Sequence, residues 1–450
     1  MKIFNYIFIV CLAIGASSCT GSLEEVNTDP TRLSQVDLRL LLPEVEAQAA
    51  NNLGFNPHRV AGIVMQQFLG LDAQQLAYND YILGEDVMNN YWRTGLYAGS
   101  LKSAQVMIDQ AVEEGNPFYS GVGKIIFANQ LADASSMFGD IPFTQALKGL
   151  EFVKPVYDSQ ESIYAAALAM LDDAIADLQS ESAIHVGGDV IYGGSNDAWI
   201  KAANGFKARY LLHTVKRNGG NAAAALTAAN AALESNADNA TFPYEESQTA
   251  NNPLAAFGQE RPNTLGFHPN FAEMLEGDPR ASVYFEEKDG VLLYFNLENT
   301  DLAWSQNSSG VPLISYTEMA FIKAEATAMT GGNADDLLAD AVQSSMDLNG
   351  VDGADYVAGL SAASVQNIVE EAYKAYYGFN FLQTWTNYRR TGFPNLNPSA
   401  NASPSFSPSG VIPQRWLYVN SETQTNAESV TAATEAQGGA LLDNKLWAFQ

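Results

Sequence analysis

Cysteine is nearly missing from this chain of 450 residues, which has only Cys11 and Cys19. Two thiols so close to the start cannot staple a body of this length, so a disulfide framework is excluded. Histidine is almost as scarce. His58, His185, His213 and His268 show no HExxH arrangement or other zinc-ligand spacing. Positive charge is in short supply too: 23 Lys and Arg stand against 51 Asp and Glu, for a formal charge of −28. A surface this acidic repels nucleic acid and gains nothing, on average, from an anionic membrane. Beyond the first twenty residues no stretch is apolar enough to span a bilayer. Aromatic residues, in contrast, are plentiful, with 20 Tyr, 22 Phe and 6 Trp.

The start of the chain reads as a processing signal. Lys2 precedes an apolar run, Ile7 to Ala16, too short for a membrane span. The run closes on Ala16-Ser17-Ser18-Cys19, small residues before a cysteine, as lipoprotein signal peptidases require. Residues 1–18 are therefore expected to be removed and Cys19 to carry fatty acyl chains, two or three of which anchor stably. Residues 19–34, with the acidic leader Leu23-Glu24-Glu25, read as anchor and tether. Cys11 leaves with the signal, and Cys19 is consumed by acylation, so no thiol nucleophile remains.

The rest, 35–450, reads as one mainly α-helical body. Apolar residues recur at helical spacing over 35–53, 86–114 and 122–138, and most clearly over 159–178, where Ile163, Ala167, Leu171, Ala174 and Leu178 form one stripe. Residues 197–215 and 222–233 add a pair. Helices resume over 315–329, 334–346, 362–377 and 381–390. Alanine-rich pairs of this kind resemble tetratricopeptide hairpins, although no strict repeat is legible. The hairpins are expected mainly in 35–240 and 315–390. Residues 241–314 and 391–450, rich in Pro, Gly, Ser and Asn, read as ordered loops with a short strand at Val291–Phe295.

Catalytic signatures are weak. Gly121-Val122-Gly123-Lys124 lacks the full phosphate-loop pattern, and Gly187-Gly188 and Gly193-Gly194 carry no dinucleotide fingerprint. In Asp347 to Asp355 the early oxygen ligands suit calcium, but Val351 occupies the fifth position and Ala358 the twelfth, so a helix-connecting loop is the better reading. Paired carboxylates for glycoside cleavage can always be nominated among 51 acids, and therefore mean little. Neither metal nor cofactor is expected, and the chain reads as non-catalytic.

An ordered set of motifs resembles the SusD/RagB family, in particular its SusD-like outer-membrane nutrient-binding lipoproteins. The motifs begin with Asn27-Thr28-Asp29-Pro30, Trp92 with Leu96-Tyr97, and Asp133 to Phe143 (DASSMFGDIPF). Pro155 to Tyr164 (PVYDSQESIY), Asp189 to Gly194 and Trp199 to Asn204 follow, then Trp385 to Pro394 (WTNYRRTGFP) and Ile412 to Arg415. The closing Leu446-Trp447-Ala448-Phe449 departs from the paired tryptophans of that branch. The resemblance implies a SusD-like fold of tetratricopeptide-like hairpins with a loop-rich ligand-binding portion. It implies a SusC-like TonB-dependent transporter as partner, over which the lipoprotein acts as a lid at the cell exterior, handing on a captured oligosaccharide. A transporter-gating subunit with weak ligand binding, and a peptide-binding relative, are the alternatives. The motif residues themselves, Trp199, Asn204, Arg389 and Arg390 among them, read as scaffold.

Sugars present apolar C–H faces ringed by hydroxyls, so a site for them needs aromatic planes beside amides and carboxylates. Outside the scaffold motifs, two clusters qualify: Gln74 to Tyr81, with Tyr78, Asn79 and Tyr81, and Tyr294-Phe295-Asn296 followed by Trp304 to Asn307. Trp304, Tyr294, Tyr78, Tyr81, Asn79 and Asn307 are the expected ligand contacts, with Trp304 as the main stacking platform. A neutral β-glucan such as laminarin suits the acidic surface better than a uronate polymer.

Overall fold

The computed structural model describes residues 36–450 apart from 55 and 297. The predicted signal peptide, Cys19 and the 19–34 tether lie outside the described residues. Helix α1 (Leu38–Gly54) buries Leu42, Val45 and Ala49 on one face. Helix α2 (Asn56–Val64) is buried on every side from Pro57 onward, which erases the periodicity that would announce it. Strand β1 (Phe68–Gly70) and α3 (Ala73–Asn79) follow. The expected tract at 86–114 is divided: a π-helical stretch, Tyr91–Ser100, kinks at Gly99 into α4 (Leu101–Glu114).

Helix α5 (Pro117–Phe138) starts five residues earlier than its apolar pattern suggests, because Asn116 Oδ1 accepts the Phe118 amide and Pro117 fits the first turn. Gly121 and Gly123 are packing residues of this helix. A Cβ at either would come within 2.8 Å of Leu178 or 2.7 Å of Ile108. Strands β2 (Ile141–Pro142) and β3 (Tyr157–Asp158) pair antiparallel, Ile141 opposite Asp158. Helix α6 (Gln160–Leu178) is capped by Ser159, and α7 (Asn196–His213) by Ser195. Helices α4 to α7 and α8 (Asn221–Asn230) pack each against the next, the arrangement of stacked helical hairpins.

The loop-rich portion holds more regular structure than its Pro and Gly content suggests. It contains β4 (Thr241–Phe242), α9 (Pro253–Glu260), β5 (Leu265–Phe267), α10 (Pro269–Met274) and α11 (Ala281–Tyr284). The hairpin β6 (Glu286–Lys288) with β7 (Val291–Leu293), and β8 (Val311–Pro312), complete it. Strand β5 pairs with β1, and β8 with β4, both antiparallel. The helical layer then resumes with α12 (Tyr316–Met329), capped by Ser315, and α13 (Asp335–Leu348), α14 (Ala354–Ala358), α15 (Val365–Ala375) and α16 (Phe381–Thr391). Helix α12 lies on α8, joining the two helical stretches, and α16 lies on α2. Helices α17 (Asn420–Thr425) and α18 (Ala427–Ala436) precede the end.

The scaffold motifs behave as structural groups. Buried Arg209 grips Glu318 with Nε and Nη2, both at 2.6 Å, and buried Arg390 pairs with Glu325. Arg389 instead ties carbonyls, with Nη1 2.5 Å from Ser136 O, and lies 3.6 Å over the Trp385 ring. Trp199 Nε1 donates to Asp189 at 2.9 Å. The C-terminal segment closes on α5 and α6: Trp416 N bonds Met137 O at 2.9 Å, Arg415 bonds Phe138 O at 3.2 Å, and Ala448 N bonds Gln160 Oε1 at 2.9 Å. Trp416 stacks on Trp385 with ring centres 4.0 Å apart.

One buried acid has no paired cation among the described residues. Glu46 on α1 is fully buried and accepts the Val190 amide at 2.9 Å. Burial, reinforced by neighbouring Asp189, pushes its carboxyl up to about 10, so it stays protonated at neutral pH.

Candidate ligand-binding face

The β1–β5 pair sets the frame. Phe68 packs on Tyr294 with ring centres 5.1 Å apart, on Tyr377 at 5.7 Å and on Phe381 at 4.9 Å. At the end of β1 the chain turns so tightly into α3 that a Cβ at Gly70 would fall 1.8 Å from Gln75 O. Asn79 locks that turn by accepting the Gly70 amide at 2.9 Å and donating to its carbonyl at 2.8 Å.

Above this frame sits Arg59, carried by α2. Its guanidinium lies 3.8 Å over the Phe257 ring of α9, and it donates to Gln75 Oε1 and Gly54 O at 3.4 Å and to Asn56 Oδ1. Among the described residues no carboxylate pairs with it. Burial lowers its pKa to about 10, offset in part by Tyr294 and Tyr78. Beside it α9 lies flat against Tyr294-Phe295: a Cβ on Gly258 would meet the Phe295 ring at 2.6 Å and the Tyr294 hydroxyl at 3.0 Å.

The rim of this face is polar. Asn307 accepts from Gln259 and donates to Glu246 Oε2 at 3.1 Å, while Ser308 Oγ donates to Glu246 Oε1 at 2.7 Å. Those two hydrogen bonds hold the Glu246 carboxyl below its usual range. Phe257 and Phe295 are half-buried, on α9 and on the segment packed against it, and the same helix carries Gln259 to this polar rim. Apolar C–H faces and hydroxyls can both be met here.

The expected stacking residues are elsewhere. Trp304 is 9% exposed; its ring packs on Phe379 at 4.9 Å, its Nε1 donates to Asn349 Oδ1 at 3.0 Å, and a Cβ on Gly378 would overlap it at 2.1 Å. It plugs the junction with α13, so the expectation of an open platform at Trp304 is corrected. Tyr78, Tyr81 and Tyr294 are likewise buried, and Tyr81 Oη accepts the Ser399 amide at 3.0 Å. The reason is physical: short strands and single-turn helices have no continuous apolar face of their own, so large rings must supply the core of this portion. The structure does gather Tyr78 and Tyr294 around Arg59, beneath the face. Asn79 is held by the turn, and Asn307 alone of the six lies on the polar rim. Phe257, Gln259 and Glu246 were not among the expected contacts. Only the Asn252-Pro253 helix start marks Phe257 and Gln259 in the sequence, since Asn252 Oδ1 caps α9.

Comparison with known proteins comes down to fold and family. A family model described as starch-binding and associating with the outer membrane, SusD-like, matches residues 30–419. A SusD/RagB family protein from Bacteroides thetaiotaomicron is 25% identical with a TM-score of 0.76, covering 92% of this chain and 99% of the other. A chitin-binding protein is 23% identical with a TM-score of 0.76, covering 92% and 98%. A chitin-binding SusD homolog from Flavobacterium johnsoniae is 20% identical with a TM-score of 0.73, covering 92% and 96%. No curated protein sequence matches.

Proposed function

We infer the function from one premise: the chain belongs to the SusD-like family of starch-binding proteins that associate with the outer membrane. It is a non-catalytic, lipid-anchored glycan-binding protein of the cell surface, which captures an oligosaccharide and passes it to a SusC-like TonB-dependent transporter. The observation that carries this reading is the face around Arg59, where half-buried Phe257 and Phe295 lie on and against α9, the helix whose Gln259 opens the Gln259–Asn307–Glu246 chain of hydrogen bonds. Family membership supports the outer-membrane setting, and the acyl-accepting position of Cys19 supports the anchor. The chitin-binding neighbours favour a neutral β-linked glycan, so chitin oligosaccharides join laminarin as first ligands to try.

Calorimetry tests the site. Truncating a central aromatic contact costs about 1–3 kcal/mol of binding, or roughly five- to 150-fold in affinity. Phe257→Ala and Phe295→Ala should each weaken a glycan that the wild type binds by an amount in that range. Unchanged affinity in both variants would remove this face from binding, and release of reducing ends by the wild type would overturn the non-catalytic reading.

A further inference from the structure

The most exposed large apolar side chain of the described residues is Leu150, at 94%; Val153 follows at 72%, and Val156 stands at 47%. All three belong to one loop, residues 143–156, which leaves from β2 and returns through β3. The base of that loop is firmly built. Asp158 Oδ2 accepts the amides of Phe143 and Thr144, each at 2.9 Å, and Oδ1 accepts the Thr144 hydroxyl at 2.8 Å. Gln145 Oε1 accepts the Val156 amide at 3.0 Å, and Pro155 O accepts from Asn426 at 2.8 Å. An ordered base therefore holds an apolar tip in water.

We propose that this tip, Leu150 with Phe152, Val153 and Val156, is a membrane-contact site that inserts into the headgroup layer of a phospholipid bilayer. The proposal rests on the membrane attachment inferred above, and it concerns a surface distinct from the ligand-binding face. Single exposed apolar residues are ordinary on protein surfaces, but here they cluster at the end of a pinned loop. Their flanks match a lipid surface. Lys148 and Lys154 bracket the apolar residues, and Lys148 Nζ lies 5.5 Å from the Phe152 ring. With Glu151 as its one acid, the loop is net positive in a chain of formal charge −28. Lysine stems lie along apolar groups while their ammonium heads reach phosphate, which every phospholipid headgroup carries.

A narrow tip of four side chains is far smaller than the roughly 800 Å² per partner of a stable protein interface. Insertion of a few side chains is enough when an anchor already holds the chain at the membrane, because the second contact is then intramolecular. The tether permits it. Gln110 donates to Val36 O at 2.9 Å, placing the chain's entry beside the start of α5, whereas the loop follows the end of α5. Helix α5 spans about 33 Å at 1.5 Å per residue. The stretch from Cys19 to residue 35 reaches up to about 55–60 Å when extended.

The test places an environment-sensitive fluorophore on Leu150→Cys in the full chain, both acylated and with Cys19→Ser, with Leu76→Cys as a labelled comparison on another exposed surface. In phosphatidylcholine vesicles the label at 150 should shift to the blue and be quenched by spin-labelled lipid, and the label at 76 should do neither. Combining Leu150→Asp with Val153→Asp should lower vesicle partitioning of the unacylated chain by about tenfold or more. Circular dichroism and glycan affinity should not change, since these side chains support nothing inside the fold. Water-like emission at 150 in both chains overturns the proposal. So does a blue shift seen only in native outer membrane and neither in phosphatidylcholine vesicles nor in vesicles of extracted outer-membrane lipid, which would assign the tip to a protein partner. Glycan calorimetry is read independently, so either inference can fail without the other.

Discussion

Replacing Trp304 with Ala removes an indole held between Phe379, Gly378 and Asn349. The neighbours are a helix end and a tight turn, which cannot slide together to fill the gap, so a large aromatic-to-alanine cost of about 3–5 kcal/mol is expected. For a body of roughly 415 described residues, an unfolding entropy near 2.1 cal/mol/K per residue gives about 0.9 kcal/mol per kelvin. The melting temperature should therefore fall by about 3–6 °C. Trp304→Phe separates packing from hydrogen bonding. It keeps a ring against Phe379 but strips Asn349 Oδ1 of its donor, while Asn349 Nδ2 still donates to Ser345 O at 2.8 Å. That loss should be about 1–2 kcal/mol, or near 1–2 °C. Paired scanning calorimetry and glycan titration on the same proteins decide the matter. An Ala variant that melts like the wild type yet binds glycan far more weakly would refute the core-plug reasoning and return Trp304 to the binding surface.

Glu46→Gln tests the buried acid: a carboxyl whose pKa is raised in the folded state stabilises least above that value, so wild-type stability should decline from about pH 4.5 towards pH 10, at up to about 1.4 kcal/mol per pH unit for one proton. The Gln variant should melt higher than the wild type at pH 8 and lose that advantage near pH 4, as followed by thermal melts across pH. Gly258→Ala should displace the Phe295 ring, whose Cγ lies 2.6 Å from the added methyl position, and weaken glycan binding more than it lowers the melting temperature. Cys19→Ala should abolish acylation and detergent-phase partitioning while leaving a folded body. Native outer membrane should yield a large barrel protein with the acylated chain, and repeated recovery of the chain alone would count against the lid.

Helices with one buried stripe and a hydroxyl cap were legible from the residues. Ser159 and Ser315 each accept an amide three residues on, at 3.2 Å. Two helices were hidden or shortened for opposite reasons. Helix α2 is buried all round and has no polar face to contrast with. Helix α5 begins at a proline that also reads as the end of the preceding helix. The proposed ligand face was less legible, because Arg59, Gln75, Phe257, Phe295 and Asn307 come from separate stretches brought together by the β1–β5 pair and α9. The sequence shows that aromatic residues are abundant in the loop-rich portion, but not which rings that portion needs for its own core.

The way Trp416, Arg415 and Ala448 close upon α5 and α6 bears on how such a chain is made. The Met137 and Phe138 carbonyls at the end of α5 and the Gln160 side-chain oxygen take these partners from the last tenth of the polypeptide. A chain made amino end first therefore holds those carbonyls without these partners until its last residues are available. Loss of the tail from Arg415 onward would leave those carbonyls and Gln160 Oε1 without these partners.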